Sequence, residues 1–345
     1  MLLLAIETSC DETAAAVVRN GREVLANVIS SQVKVHAEYG GVVPEIASRK
    51  HLEAIPLVIG EALASAAVSL DEIEGIAVTQ GPGLAGALLV GVSVAKAIAF
   101  ARRLPLIGIN HIEGHLAAIF LERPVAFPFL ALAVSGGHTH LYRVEGFGRY
   151  RPLGQTLDDA AGEAFDKVAK LLGLPYPGGI EIDRLAATGN ELAVALPRPL
   201  LHDGSCNFSF SGLKTAVLTY LQKHPLSEGA VTINDLCASF QRAVCDVLVA
   251  KTFQAAEADG IERVVVAGGV ACNSVLRRTM TEMARQRGVE LLIPSPLLCS
   301  DNAAMIAVPA DYYLEQGLRG DFSLDALASW PLDKLGRWRD NADSH

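Results

Sequence analysis

The same order of elements occurs twice along this chain, and that repetition limits the folds open to it. In the first half, Leu2–Ile6 reads as a buried apolar strand, Glu7–Thr13 as a polar turn, and Ala14–Val18 as a second strand. Asn20-Gly21 is a hairpin signal leading to a third strand near Val24–Ser30. Further on, Phe129–Val134 is a strand, Ser135–Thr139 a polar turn and His140–Val144 a strand, with Glu145-Gly146 turning the chain back. Each half then closes alike. Ile76–Thr79, a Gly-rich loop Gly81–Gly86, a long helix through Ala101 and the strand Leu104–Ile109 match Ile261–Ala267, Gly268-Gly269-Val270, a helix over Asn273–Gly288 and Leu291–Pro294. Apolar strands resemble one another by chance, but four features in matching order favour duplication. The expectation is an α/β fold of two lobes with a cleft between them, each lobe ending in a strand–helix–strand crossover.

The 345 residues are enough for two such lobes, and a chain that is 50% hydrophobic can fill a core in each. The expected division is 1–110 and 111–330. A largely helical insertion occupies about 158–258, broken by the Pro/Gly/Ser-rich stretch Leu196–Gly212. A polar tail, 331–345, includes Arg337–Asp343. The apolar stretch from Gly83 to Phe100 is near bilayer length, yet Lys96, Ser93 and several Gly make a buried helix the better reading than a membrane span. Met1–Ile6 lacks a basic leader and stops at Glu7, so it does not read as a signal peptide. Six scattered Cys without a Cys-x-x-Cys pair suit reduced thiols in the cytoplasm. A net charge of -9 argues against a general basic coat for nucleic acid. Local basic clusters remain at Arg102-Arg103, Arg277-Arg278, and Arg285 with Arg287.

His111-Ile112-Glu113-Gly114-His115 directly follows a strand. Imidazoles four positions apart share one helix face, and neutral imidazole is the commonest metal ligand. A capping His and a surface His are the plain alternative. Glu113 is not where a zinc protease needs its base: at about 100° per residue it lies about 200° round from His111. Two further ligand sources are on view. Asp301, in Ser300-Asp301-Asn302, precedes an apolar helix, where capping is the ordinary job of an Asp. Two His and one carboxylate would suit zinc or ferrous iron. Asp11 and Glu12 sit in a Ser/Thr-rich turn and could bind a metal-nucleotide or act as a base, or be solvated turn carboxylates. Gly136 and Gly137 could bring backbone N–H groups to an anion, and a plain hairpin is the alternative. The Gly268-Gly269 pair, before Asn273, leaves room for a flat base or makes a tight helix start.

Seven motifs together resemble the universal tRNA threonylcarbamoyltransferase family, bacterial type (TsaD), once described as glycoproteases. They are Glu7–Thr13, His111-x3-His115, Val134–Thr139, Gly162–Lys167, Tyr176–Gly179, Ser209–Thr215 and Ser300–Asn302, in family order from residue 7 to about 307. The resemblance implies a duplicated actin/sugar-kinase/Hsp70-like (ASKHA) fold. It implies transfer of the threonylcarbamoyl group from threonylcarbamoyl-adenylate to the exocyclic amine of adenosine 37 in tRNAs reading codons that begin with A, with release of AMP. By position, it implies that His111, His115 and Asp301 hold one divalent ion (iron or zinc). Val134, Ser135, Gly136, Gly137 and His138 would wrap the threonylcarbamoyl-phosphate end. Asp166 and Asp183 would take the ribose hydroxyls, and Gly179 and Asn273 would line the nucleoside pocket. From residue types alone, Asp166 pairs with Lys170 at i,i+4, and Asp183 reads as a helix-start carboxylate. Ile180-Glu181-Ile182 is less typical of the family, which loosens the register to Asp183. Asp11 or Glu12 is the expected proton acceptor. The implied partners are tRNA, a TsaB-like paralogous subunit and a TsaE-like ATPase, with no membrane. The competing classes are a metalloprotease, disfavoured by Glu113, a small-molecule kinase or ATPase on the same fold, and a non-catalytic interaction subunit.

Overall fold

The computed structural model describes residues 1–225 and 231–335; the expected tail from Arg337 lies outside the described residues. The chain divides into two compact units. The first holds Met1–Ala126, Glu145–Tyr150 and the chain from Ser300 onward, and the second holds Phe127–Val144 and Arg151–Cys299. This differs from a division at 110/111 and 330/331, because the His111 helix and the segment after Ser300 both belong with the first unit.

In the first unit, β1 (Leu2–Glu7), β2 (Glu12–Arg19), β3 (Glu23–Ser31), β4 (Gly75–Gly81) and β5 (Leu106–Asn110) form one sheet in the order β3-β2-β1-β4-β5. β1, β2 and β3 run antiparallel in turn, whereas β4 is parallel to β1 and β5 to β4. Asn20 and Gly21 both have positive φ, as the turn closed by Arg22 N donating to Arg19 O at 3.2 Å requires. β4 and β5 are buried along their whole length, which is why they read as unbroken apolar runs rather than alternating ones.

Helices supply the covering layers: α1 (Val33–Ala37), α2 (Pro44–Ser65), α3 (Ala85–Arg102), α4 (His111–Ala117) and, from the far end of the sequence, α11 (Ala304–Glu315). α2 and α3 pack Ile55, Ile59, Val92 and Ala95 with Leu4, Ile6, Val17 and Val78 in one core. By length and composition α3 could cross a bilayer, but here Ala87, Leu88, Val90, Ala95 and Ala99 are buried while Leu89 and Phe100 are exposed. It is therefore a core helix on one face only. α11 packs against α4 and against β1, β2, β4 and β5.

The second unit repeats the plan. β6 (Phe129–Val134), β7 (Thr139–Gly146), β8 (Arg149–Gln155), β9 (Arg263–Ala267) and β10 (Glu290–Leu292) form a sheet in the order β10-β9-β6-β7-β8. Again the first pair is antiparallel and the two closing strands are parallel. Between β8 and β9 lie α5 (Ala161–Leu171), α6 (Gly178–Ala186), α7 (Ser211–Lys223) and α8 (Ile233–Ala258). α9 (Ser274–Arg287) crosses from β9 to β10, and α10 (Pro296–Cys299) follows. The two mixed sheets share one strand order, so the duplicated ASKHA-type fold is present.

A close approach inside the first unit holds the Glu7–Thr13 turn in place. A Cβ on Gly91 of α3 would lie 2.4 Å from Thr8 Oγ1, which itself donates to Ala87 O at 2.9 Å. Gly91→Ala should therefore destabilise the protein by about 1–3 kcal/mol through overpacking. Gly60→Ala in α2, where a Cβ meets nothing within 4 Å, should stabilise it by about 0.5–1 kcal/mol. Urea midpoints of the two variants should shift in opposite directions.

Candidate metal and substrate-binding site

β5 runs straight into α4, and Asn110 marks the junction. Its side chain accepts from the N–H groups of Ile112 (2.9 Å) and Glu113 (3.2 Å) and donates to Trp330 O at 2.7 Å. That cap fixes the first turn and so the direction of both imidazoles. The His111 and His115 ring centroids are 4.6 Å apart. Asp301 Oδ1 lies 3.0 Å from His115 Nε2 and 3.6 Å from His111 Nε2. One donor atom from each of the three residues lies within 4.8 Å of the other two. Two imidazoles and a carboxylate in this arrangement fit zinc or ferrous iron with coordination positions to spare. All three belong to the first unit.

Just ahead of α11, Asn302 Oδ1 accepts from Met305 N of its first turn at 3.0 Å. The neighbouring amide thus takes the ordinary structural job and leaves the Asp301 carboxylate turned to the histidines.

Glu7 orients the first histidine, and sequence reading gave it no role. Its Oε2 lies 3.1 Å from His111 Nδ1 and accepts from Thr79 Oγ1, and Ser9 Oγ is also 3.1 Å from that nitrogen. A hydrogen bond on one ring nitrogen fixes the tautomer and aims the other, as behind most metal-bound histidines. Burial pushes the Glu7 carboxyl up, but His111 outweighs it and the net shift is downward. Burial opposes charge on His111 as well, yet Asp301 and Glu7 prevail and raise it to about 9. A metal and a proton would therefore compete for this ring.

Glu113 is turned elsewhere. It is fully buried and accepts from Tyr150 Oη (2.7 Å), Gly148 N (3.0 Å) and Tyr313 Oη. Gly114 completes the motif: a Cβ there would be 2.7 Å from Ile306 Cδ1 of α11. Asp11 is buried, and Glu12, at the start of β2, accepts from Ser31 Oγ at 3.1 Å. Burial, then the charges of Asp11 and Asp301, push the Glu12 carboxyl up to about 9, so it keeps its proton at neutral pH.

In the second unit, the Ser135–His138 turn is closed by Ser135 N donating to His138 O at 2.8 Å. Val134 ends β6 and is buried, whereas Gly136 and Gly137 are exposed, and a Cβ on either would meet open space. Gly268, at φ +98°, comes so close that a Cβ would lie 2.4 Å from Val134 O. The start of α5 packs on the same turn, with Gly162 N donating to Ser135 O at 3.2 Å. Asp166, in α5, accepts from Gly178 N at 2.8 Å and so holds the start of α6; Gly179 is the next residue. Asp183, in α6, accepts from Ser274 Oγ (2.7 Å) and Gln241 Nε2 (3.0 Å). Asn273 caps α9 through Leu276 N (3.0 Å) and donates to Gln241 Oε1 at 3.0 Å. Gln241 and Ser274 thus join the candidate group, although no sequence signal marked them. The Ser209 and Ser211 hydroxyls of another motif donate to Asp158 at the start of α7, a structural cap.

The basic clusters are partly neutralised. Arg102 pairs with Asp71 and Arg287 with Glu257, while Arg277 donates to Ala271 O and Pro294 O.

The Glu113 network predicts a stability effect separate from the metal. Glu113→Ala leaves two buried hydroxyls and one amide without their acceptor and should lower stability by about 1–3 kcal/mol in thermal unfolding. The folded protein should still bind zinc through His111, His115 and Asp301, as read by elemental analysis.

The profile of the TsaD family, described as tRNA N6-adenosine threonylcarbamoyltransferase, matches residues 23–308. The curated protein of that description from Geobacter sulfurreducens is 75% identical over 340 residues, covering 99% of this chain and 100% of the relative. Its counterpart from Geobacter metallireducens is 74% identical over 335 residues, covering 97% of this chain and 98% of the relative. The crystal structure of component A of Acidaminococcus fermentans (R)-2-hydroxyglutaryl-CoA dehydratase shares the fold at TM-score 0.55 and 18% identity, covering 92% of this chain and 100% of that one. The chain belongs to the TsaD family and is a tRNA N6-adenosine threonylcarbamoyltransferase.

Proposed function

We propose that the threonylcarbamoyl donor is threonylcarbamoyl-adenylate and the acceptor the exocyclic amine of adenosine 37, in tRNAs reading codons that begin with A. The observation that carries this reading is the donor set of His111, His115 and Asp301, within 4.8 Å of one another and braced by Glu7. These three would hold one divalent ion, iron or zinc. When bound, the ion supplies Lewis acidity toward the phosphate of the leaving AMP.

The residues themselves do the remaining work. Val134 and Ser135–His138 take the threonylcarbamoyl-phosphate end, with exposed backbone at Gly136 and Gly137 placed against developing negative charge. Asp166 and Asp183 take the ribose hydroxyls while still holding α6 and α9, because a carboxylate can accept about four hydrogen bonds. Gly179 and Asn273 line the nucleoside. The amine nitrogen bonds to the carbamoyl carbon, the bond from that carbon to the phosphate oxygen breaks, and AMP leaves. The amine gives up a proton as it attacks. Asp11 accepts it, directly or through water, while the protonated Glu12 beside it serves as a donor.

A net charge of -9 works against holding a polyanion, and Arg102 and Arg287 of the basic clusters are already in ion pairs. A TsaB-like subunit and a TsaE-like ATPase are therefore proposed to assist tRNA binding. The six thiols, none in a disulfide, suit the cytoplasm, away from any membrane.

The decisive experiment is mass spectrometry of tRNA incubated with threonine, bicarbonate, ATP, the adenylate-forming synthase and the companions, with and without this chain. Modified adenosine 37 should appear only with it. His111→Ala and Asp301→Ala should lose bound metal by elemental analysis and lower transfer at least about a hundredfold. Full metal content and full transfer in both variants would sink the reading. Asp11→Asn should keep the metal and slow transfer by about 10²–10⁴. Rapid ATP turnover without tRNA would point instead to a kinase or ATPase.

A further inference from the structure

Between two residues proposed for the nucleoside lies a buried amide that the bond-making step does not itself use. Gln241 is on α8, which packs against α6 and α9. It is 1% exposed. Its Nε2 donates to Asp183 Oδ1 of α6 at 3.0 Å, and its Oε1 accepts from Asn273 Nδ2 at the start of α9, also at 3.0 Å. Phe240, Val244 and Cys245 beside it on α8 belong to the hydrophobic core. In such surroundings an unmet hydrogen bond is costly, so the orientation of the amide is tightly held.

Donors and acceptors in this group follow one another in a fixed direction. Leu276 N of α9 donates to Asn273 Oδ1 at 3.0 Å. The other end of that amide, Nδ2, can then only donate, and Gln241 Oε1 receives it. Gln241 Nε2 must donate in turn, and the Asp183 carboxylate receives it. The start of one helix thus dictates which way both amides face. Asp183, at the end of this series, is unevenly occupied. Its Oδ1 takes Gln241 Nε2 at 3.0 Å and Ser274 Oγ at 2.7 Å, whereas Ser274 N lies 3.3 Å from both Oδ1 and Oδ2. Two close donors use both lone pairs of Oδ1, which leaves Oδ2 to accept from a hydroxyl.

We propose that Gln241 is a positioning residue that sets the hydrogen-bond polarity of the nucleoside pocket. It holds Asp183 so that Oδ2 accepts from a ribose hydroxyl, and Asn273 so that the second N–H of Nδ2 donates to the nucleoside. The proposal rests on the reading that Asp183 and Asn273 meet the nucleoside of the adenylate. The pocket then selects a ribonucleotide, because a deoxyribose leaves Oδ2 without the donor it was turned to receive. Gln241 governs how the nucleoside is held, and so acts on KM rather than on kcat.

The test titrates the full chain with AMP, 2′-deoxy-AMP and 3′-deoxy-AMP in a calorimeter. Wild-type protein should bind AMP about tenfold more tightly than at least one of the deoxy compounds. Gln241→Glu keeps an acceptor for Asn273 but turns a second carboxylate oxygen on Asp183. Gln241→Met keeps the length and removes both bonds. In each variant that unfolds cooperatively on heating, the preference for AMP over that deoxy compound should fall below about threefold. In transfer, the KM for threonylcarbamoyl-adenylate should rise about tenfold while kcat stays within about threefold of wild type. Equal binding of all three nucleotides by wild type would overturn the assignment of Asp183 to the ribose, and this proposal with it. A discriminating wild type beside a folded variant that discriminates as well would overturn the role of Gln241 alone, as would a fall in kcat at unchanged KM.

Discussion

A histidine ligand is only as good as the grip on its far nitrogen, and for the candidate ligand His111 that grip is Glu7. The carboxylate closes β1, accepts from Thr79 of β4, and meets Nδ1 of His111 at 3.1 Å. It thereby ties the central strands of the first sheet to the helix that carries both imidazoles. Asn110 sets the start of that helix, and Glu113 secures its opposite face to Tyr150 and Tyr313. Ligand placement follows from the buried sheet, so the rigidity of the core is transmitted to the donor atoms with little slack.

The same economy appears in the second unit, where residues proposed to take the substrate also hold the fold. Asp166 holds α6, Asp183 reaches the start of α9 through Ser274, and Asn273 caps α9 outright. A binding surface built from helix caps needs no separate set of supporting groups. It also means that replacing such a residue disturbs both recognition and local structure, so activity loss alone would not separate the two roles.

Periodicity made the duplication readable, because strand and helix patterns are local. The i,i+4 spacing of His111 and His115 was legible for the same reason, and so was the misfit of Glu113 to protease chemistry. The supports were not. Glu7 meets His111 across 104 positions and Gln241 meets Asn273 across 32, and no local pattern encodes such pairings. Asp301 and Asn302 show the limit in miniature. Either could cap a helix, and only the folded chain assigns the cap to Asn302 and the donor role to Asp301.

Asp301 and His115 stand 186 positions apart, yet both belong to the first unit, together with α11 and its packing against β1, β4 and β5. During synthesis from the N-terminus, the first five strands emerge long before the helix that covers one side of them. The whole second unit must be made in between. The first unit can therefore reach its final form only after nearly all of the chain has left the ribosome. The candidate ion-binding group is completed at that same late moment, so a truncated translation product would carry its two histidines without their acid.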